Sequence, residues 1–308
     1  MNVKIYCPDM SCDSCIQTIC SALENTAGIE SFVIRHDAVD ISYDPSKINP
    51  EMLITKIQEK GYRAGLAPFE RKTFKERLRD ALTNKEKYDV EYRMFRYSAL
   101  TFFILLLLEI GTYLALFDTH PAFLEIYGWW IFYITVAVVS IGSAMWHMKS
   151  YQATVTSMVG MMLGMTFGMQ TGMMIGTIIG VSNGLFVGGM TGMIVAVGVG
   201  FYNGKRCGIM GVLEGMMAGV MGGVMGSMIG TMFRVDHILY FMPVFMAINI
   251  AVMWGLSYML FEEVVENKPT TKKVPVKFAR FFSYCLIVVS LLAALILYGP
   301  KTGLAALA

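Results

Sequence analysis

The chain has 308 residues, of which 55% are hydrophobic and only 16% charged, and its mean hydropathy is +0.54. Such material is too apolar for a wholly soluble protein, and a net charge of +2 supplies no basic surface for nucleic acid. It is the composition of a polytopic membrane protein that carries a small soluble head. Three of the six cysteines fall within nine residues, which fits a reducing compartment better than a disulfide framework.

The head is read from the N-terminus. Val3-Lys4-Ile5-Tyr6-Cys7 has the alternation of a strand. Ile16, Ile19, Cys20 and Leu23 then recur at helical spacing until Gly28 closes that helix. Phe32-Val33-Ile34 and Val39-Asp40-Ile41-Ser42-Tyr43 read as two strands about a turn at His36-Asp37. Asn49 caps a second helix, with Pro50 in its first turn and Met52, Leu53 and Ile57 on its buried face. Gly61-Tyr62 ends that helix and opens a last strand, so the order is βαββαβ, the α+β ferredoxin-like arrangement.

The loop between the first strand and helix holds Met10-Ser11-Cys12-Asp13-Ser14-Cys15. Two thiols three residues apart at a strand-to-helix turn can grip one soft ion, and thiolates select Cu(I), Ag(I) or Hg(II). A CxxC pair alone also reads as a redox couple or half a zinc site. With the βαββαβ order and Gly61-Tyr62, however, the segment resembles the heavy-metal-associated domain of copper chaperones and metal-pumping ATPase tails. The resemblance covers residues 1–67 and implies that Cys12 and Cys15 are metal ligands, with Met10 supporting the loop and Tyr62 beside the site. Asp9 stands where many relatives have glycine, and its carboxylate would also admit Zn(II). Cys7 and Cys20 read as packing residues. The first residues lack the apolar core of a signal peptide, so the head is expected in the cytoplasm.

Residues 68–96 are dense in charge, with Phe69, Phe74, Leu78 and Leu82 along one side. They read as an amphipathic helix on anionic lipid or as a solvated helical linker. The remainder, 97–308, reads as an all-α membrane domain of seven spans: Tyr97–Phe117, Tyr127–Met145, Ser157–Gly180, Leu185–Phe201, Gly208–Met232, Ile238–Phe261 and Phe281–Leu297. Basic residues before the first span, at Lys149, at Lys205-Arg206 and at Lys268 to Lys277 make every second loop positive. That pattern predicts a multi-pass protein of the cell (plasma or inner) membrane, N-terminus inside and C-terminus outside, with Arg234 alone on the wrong side.

From Gly160 to Gly192 a glycine stands at every fourth position, and Gly211, Gly215, Gly219 and Gly223 continue the theme. Four-residue spacing makes a groove into which another backbone fits, so glycine-zipper packing is expected. One helix over 158–200 would measure roughly 64 Å, about twice the hydrocarbon thickness, so it must fold back, and Asn183-Gly184 is the turn dipeptide there. Segment 160–180 resembles 211–232, and lying two crossings apart they form a parallel repeat.

Sixteen of the 75 residues from Met158 to Met232 are methionine. Met161, Met165, Met169 and Met173 form one stripe, Met217, Met221 and Met225 a second, and Met242, Met246, Asn249 and Met253 share a helix face. Thioethers are soft neutral ligands that could pass Cu(I) along, but methionine is also a flexible filler against glycine-rich backbones. Glu109 lies mid-span among leucines, where a carboxylate is a candidate proton or cation site. Glu214 lies nearer an interface, Gln170 and Asn249 read as interhelical hydrogen-bonding residues, and Met145-Trp146-His147-Met148 is a candidate docking site for metal.

No DKTG motif, nucleotide-binding segment, intramembrane Cys-Pro-Cys or GxxxxGK[ST] loop occurs, so the chain is neither a whole metal-pumping ATPase nor an expected enzyme. The reading is a soft-metal, chiefly Cu(I), transporter or permease. The competing reading is an anchored metallochaperone or sensor, and a redox-active membrane protein is the third. Its partners would be the metal ion, the bilayer, a soluble metallochaperone or metalloenzyme, and a second copy of itself.

Overall fold

The computed structural model describes residues 1–8, 10, 13–24, 26–35, 37–60, 62, 64–68, 88–117, 123–151, 157–205, 208–261, 274 and 277–301. The chain divides into two compact units, one built on Met1–Tyr88 and the other containing the seven long apolar helices.

The first unit is a small sheet covered by helices. Its elements are β1 (Asn2–Tyr6), α1 (Asp13–Glu24), β2 (Ile29–Arg35), β3 (Ala38–Tyr43) and α2 (Pro50–Glu59). β3 is central and antiparallel to both neighbours, with Ile41 opposite Val3 on one side and Phe32 on the other. The alternate residues Ile5, Val39, Ile41 and Tyr43 pack against Ile19 and Leu23 of α1 and Leu53 and Ile57 of α2 in one buried cluster. Of the expected fourth strand, the described residues show a bridge at the edge of β1, where Tyr6 and Gly65 exchange backbone hydrogen bonds of 2.8 and 3.1 Å. Pro68, three residues on, has no N–H with which to extend it. Asn49 has the extended backbone of a helix cap, but its side chain makes no cap bond; its carbonyl accepts from Met52 and Leu53 instead. α1 stops at Glu24, before Gly28, whose φ of +104° turns the chain into β2.

The second unit contains α3 (Asp89–Thr112), α4 (Trp129–Ser150), α5 (Ser157–Asn183), α6 (Leu185–Gly204), α7 (Gly208–Phe233), α8 (Ile238–Phe261) and α9 (Phe278–Tyr298). α3 begins eight residues before Tyr97, because an Arg93–Asp89 ion pair of 2.7 Å at i,i+4 spacing supports its polar first turns. Residues 69–87 of the expected amphipathic linker lie outside the described residues. α3 ends in a π-helical turn, Tyr113–Phe117, and a second one, Leu124–Gly128, leads into α4. α4 packs on α3, α8 and α9. Its Gly142 lets Cys285 and Phe281 of α9 approach so closely that an added Cβ would meet the sulfur at 3.3 Å.

α5 and α6 form a hairpin that turns at Gly184, which has a φ of +100°. Asn183 beside it is fully buried, and its side-chain amide donates to the carbonyl of Leu295, 3.1 Å away at the end of α9. Three helices then meet backbone to backbone. Along α5 and α7 the partners advance in step, Gly164 with Gly211, Gly168 with Gly215 and Gly176 with Gly223, so these helices run parallel. α6 runs against both, its Gly192 facing Gly176 and its Gly200 and Gly204 facing Gly215 and Gly211. A Cβ at Gly176 would lie 2.7 Å from the Gly223 carbonyl oxygen, and one at Gly192 would lie 2.8 Å from the Gly176 Cα. Polar side chains join the seam: Thr177 donates to the Gly226 carbonyl at 3.0 Å and Ser227 to the Leu185 carbonyl at 2.6 Å.

Gly168→Ala would drive a methyl into the Gly215 backbone, whereas Gly198 faces open space. Thermal unfolding in detergent is expected to show Gly168→Ala destabilised by about 1–3 kcal/mol or more. Gly198→Ala should be neutral or stabilised by up to about 1 kcal/mol.

Candidate metal centre and membrane sulfurs

The β1–α1 connection is held from below. Cys7, just past β1, is fully buried and its N–H donates to the Asp37 carbonyl at 2.8 Å. Met10 is 2% exposed and belongs to the same core cluster as Tyr62, also 2% exposed. Both side chains therefore face the sheet and helices rather than solvent. Cys15 falls in the first turn of α1; its side chain, and all of Cys12, lie outside the described residues. Cys20, further along α1, is half-buried.

Residues 4–63 match the family model of the heavy-metal-associated domain. The N-terminal unit is a heavy-metal-associated domain. No curated protein and no solved structure matches the chain. Heavy-metal-associated domains bind soft heavy metals, so this head is a metal-binding module. It is joined to seven helices that, among the described residues, are long and apolar enough to cross a membrane.

The methionines of the seven-helix unit are not equivalent. On α8, Met242, Met246 and Met253 are buried with Asn249 on one face. That helix packs on α4 and, over a smaller area, on α7. Asn249 donates to the Phe245 carbonyl of its own helix at 2.7 Å rather than to a neighbour. On α7 the glycine face is turned inward, so Met217, Met221 and Met225 point out, Met217 being 63% exposed. On α5, Met165 is exposed while Met161, Met169 and Met173 are half-buried. The three stripes therefore do not meet in one channel within a single copy.

The polar candidates separate as well. Glu109 is half-buried on α3 and accepts a hydrogen bond from Thr135 of α4. Glu214 is half-buried near the start of α7. Gln170 has a buried carbonyl oxygen with no partner among the described residues. Met145 and Trp146 line a cavity of about 340 Å³ with Lys149, Thr171, Tyr202 and Cys285, and the Lys149 ammonium sits over the Trp146 ring at 4.2 Å.

His147 is buried, a finding the charge-and-hydropathy reading missed together with its partners. Glu91 of α3 accepts from the Tyr151 hydroxyl at 2.5 Å and lies 3.2 Å from His147 Nε2, tying α3 to the end of α4. Burial and the neighbouring Glu91 charge push the Tyr151 hydroxyl far above its ordinary range, so it stays protonated and donates. The signal available in the sequence was weak: one glutamate in the charged stretch before the first span. Glu91→Ala would strand two buried partners and is expected to cost about 1–3 kcal/mol for each. Tyr151→Phe removes only one bond and should cost less. Unfolding midpoints of the two variants in detergent decide this, and midpoints equal to the parent's would show that the cluster stabilises nothing.

Proposed function

We propose that the protein moves a soft metal ion, Cu(I) first among Cu(I), Ag(I), Hg(II) and Zn(II), across a cytoplasmic membrane. The observation that carries the reading is a heavy-metal-associated head joined to seven apolar helices, one of which buries three thioethers on a single face. Cys12 and Cys15 take the ion as thiolates, with Met10 and Tyr62 packed beneath the loop. Neutral thioethers hold it less strongly than a thiolate pair, so Met242, Met246 and Met253 are suited to accept and release it. The path is lined from α8 on the α4 side. The close glycine packing of α5, α6 and α7, a glycine zipper, forms the rigid wall beside it. Glu109 is the candidate for proton coupling, and the head lies inside the cell with the C-terminus outside.

The outward-facing stripe Met217, Met221 and Met225 favours a second reading. In it the helices anchor a metallochaperone or metal sensor, and α7 packs against a second copy or a metalloenzyme, with Met161, Met165, Met169 and Met173 of α5 flanking that contact.

Two measurements separate these readings. Full-length protein loaded with Cu(I) should lose one tightly held equivalent when Cys12 and Cys15 are both replaced by serine; an unchanged stoichiometry would remove the head from the mechanism. In proteoliposomes, Met242→Leu, Met246→Leu and Met253→Leu together should lower Cu(I) flux about tenfold while the head keeps its metal. Unchanged flux rejects the α8 path, and no flux in the parent favours the anchor.

A further inference from the structure

A second cavity, of about 300 Å³, lies between α3, the two π-helical turns and the start of α4. Glu109 enters it from α3, and Tyr113, Phe123, Trp129 and Phe132 supply aromatic walls. The rings are mutually packed, Tyr113 on Phe123 with centroids 5.9 Å apart and Trp129 on Phe132 at 6.5 Å. Such volumes are at the lower end of small-molecule pockets, about 300–1,000 Å³. No described cationic side chain pairs with Glu109; its described side-chain partner is the Thr135 hydroxyl. A carboxylate placed in an apolar wall without a counter-charge is unfavourable, and a bound cation would supply one.

The neighbouring rings already hold one cation. The Lys301 ammonium stands 4.0 Å from the Tyr127 ring centroid and donates to that residue's hydroxyl. Tyr127 in turn packs on Phe123, one of the cavity walls, at 5.6 Å. Aromatic faces attract cations through their quadrupoles, more strongly where water is excluded. The backbone is irregular here too, since Tyr113 and Leu124 lie on the π-helical turns that open the space, and such turns are frequent at functional sites.

We infer that this cavity binds a lipophilic organic monocation, its charge against Glu109 and its apolar body among the four rings. A hydrated metal ion suits it poorly, because among the described residues one carboxylate and a hydroxyl are too few oxygen ligands for a hard cation and no sulfur lines it. Metal binding by Cys12 and Cys15 does not require this site.

The test is equilibrium binding of tetraphenylphosphonium to the full-length protein in detergent, beside triphenylphosphine oxide as a neutral compound with the same kind of rings. The expected result is saturable binding of the cation, at least about tenfold tighter than the neutral compound. Glu109→Gln should remove that preference, Phe132→Leu should weaken binding several-fold, and Glu214→Gln should leave it unchanged. No saturable binding, equal affinity for the two compounds, or a charge preference that survives Glu109→Gln overturns the proposal. The comparison of the two compounds on the unaltered chain needs no variant, so a poorly folding substitution does not decide the matter. Cu(I) retention by Cys12 and Cys15 should be the same with the cation present.

Discussion

Direct contact between helix backbones governs the packing of α5, α6 and α7. Where Gly168 of α5 meets Gly215 of α7, and Gly192 of α6 meets Gly176 of α5, there is no room for a side chain of any kind. The consequence reaches every other residue of those helices, because a face given to glycine cannot also carry ligands. Bulky side chains must leave from the flanks and the back, which is why Met217, Met221 and Met225 face outward. Lipid offers no hydrophobic drive for helix association, so close van der Waals contact and bonds such as Thr177 to Gly226 and Ser227 to Leu185 supply the cohesion. α8 has no comparable glycine face; it packs on α4, and its Met242, Met246 and Met253 are buried.

Sulfur is thus divided by packing into two populations. One is enclosed, with Met242, Met246 and Met253 on α8 and Met94, Met148 and Met174 elsewhere, and the other is displayed, on α7 and part of α5. In the proposed reading only the enclosed set of α8 serves an ion within one copy of the chain. In the second reading the displayed set of α7 faces a partner. Polar chemistry is divided in the same way: Glu91 ties α3 to His147 and Tyr151, while Glu109, further along the same helix, lies in an aromatic cavity with one hydroxyl for company. Two carboxylates on one helix therefore have different surroundings, one bonded through a single oxygen to two buried side chains and one bordering a cavity.

Much of this was legible in the sequence, for identifiable reasons. The alternation in β1 and β3, the periodic apolar residues of α1 and α2 and the Asn49-Pro50 start reflect local rules, and the head follows them. Of the last strand, the described residues show the Tyr6–Gly65 bridge at the β1 edge, because a strand exists only where its neighbour offers pairing. The turn at Asn183-Gly184 could be placed because a single helix would outrun the bilayer and glycine alone takes that backbone freely. The inward or outward sense of each methionine stripe could not. Four-residue spacing fixes which residues share a face but not which face another helix covers, and the Met stripes of α5, α7 and α8 are similar in sequence. The cluster about Glu91 was missed because its members, 56 and 60 residues apart, meet only through tertiary packing.

In the proposed reading soft metal is held by thiolates in the head and, at a second place, by thioethers among the helices. X-ray absorption at the copper edge, on full-length protein in lipid with Cys12 and Cys15 changed to serine, tests it most directly. The account predicts that Cu(I) is still retained in a sulfur-only shell, and that this shell vanishes when Met242, Met246 and Met253 are also replaced. Copper absent from the double-serine protein, or bound there only by nitrogen and oxygen, would contradict it.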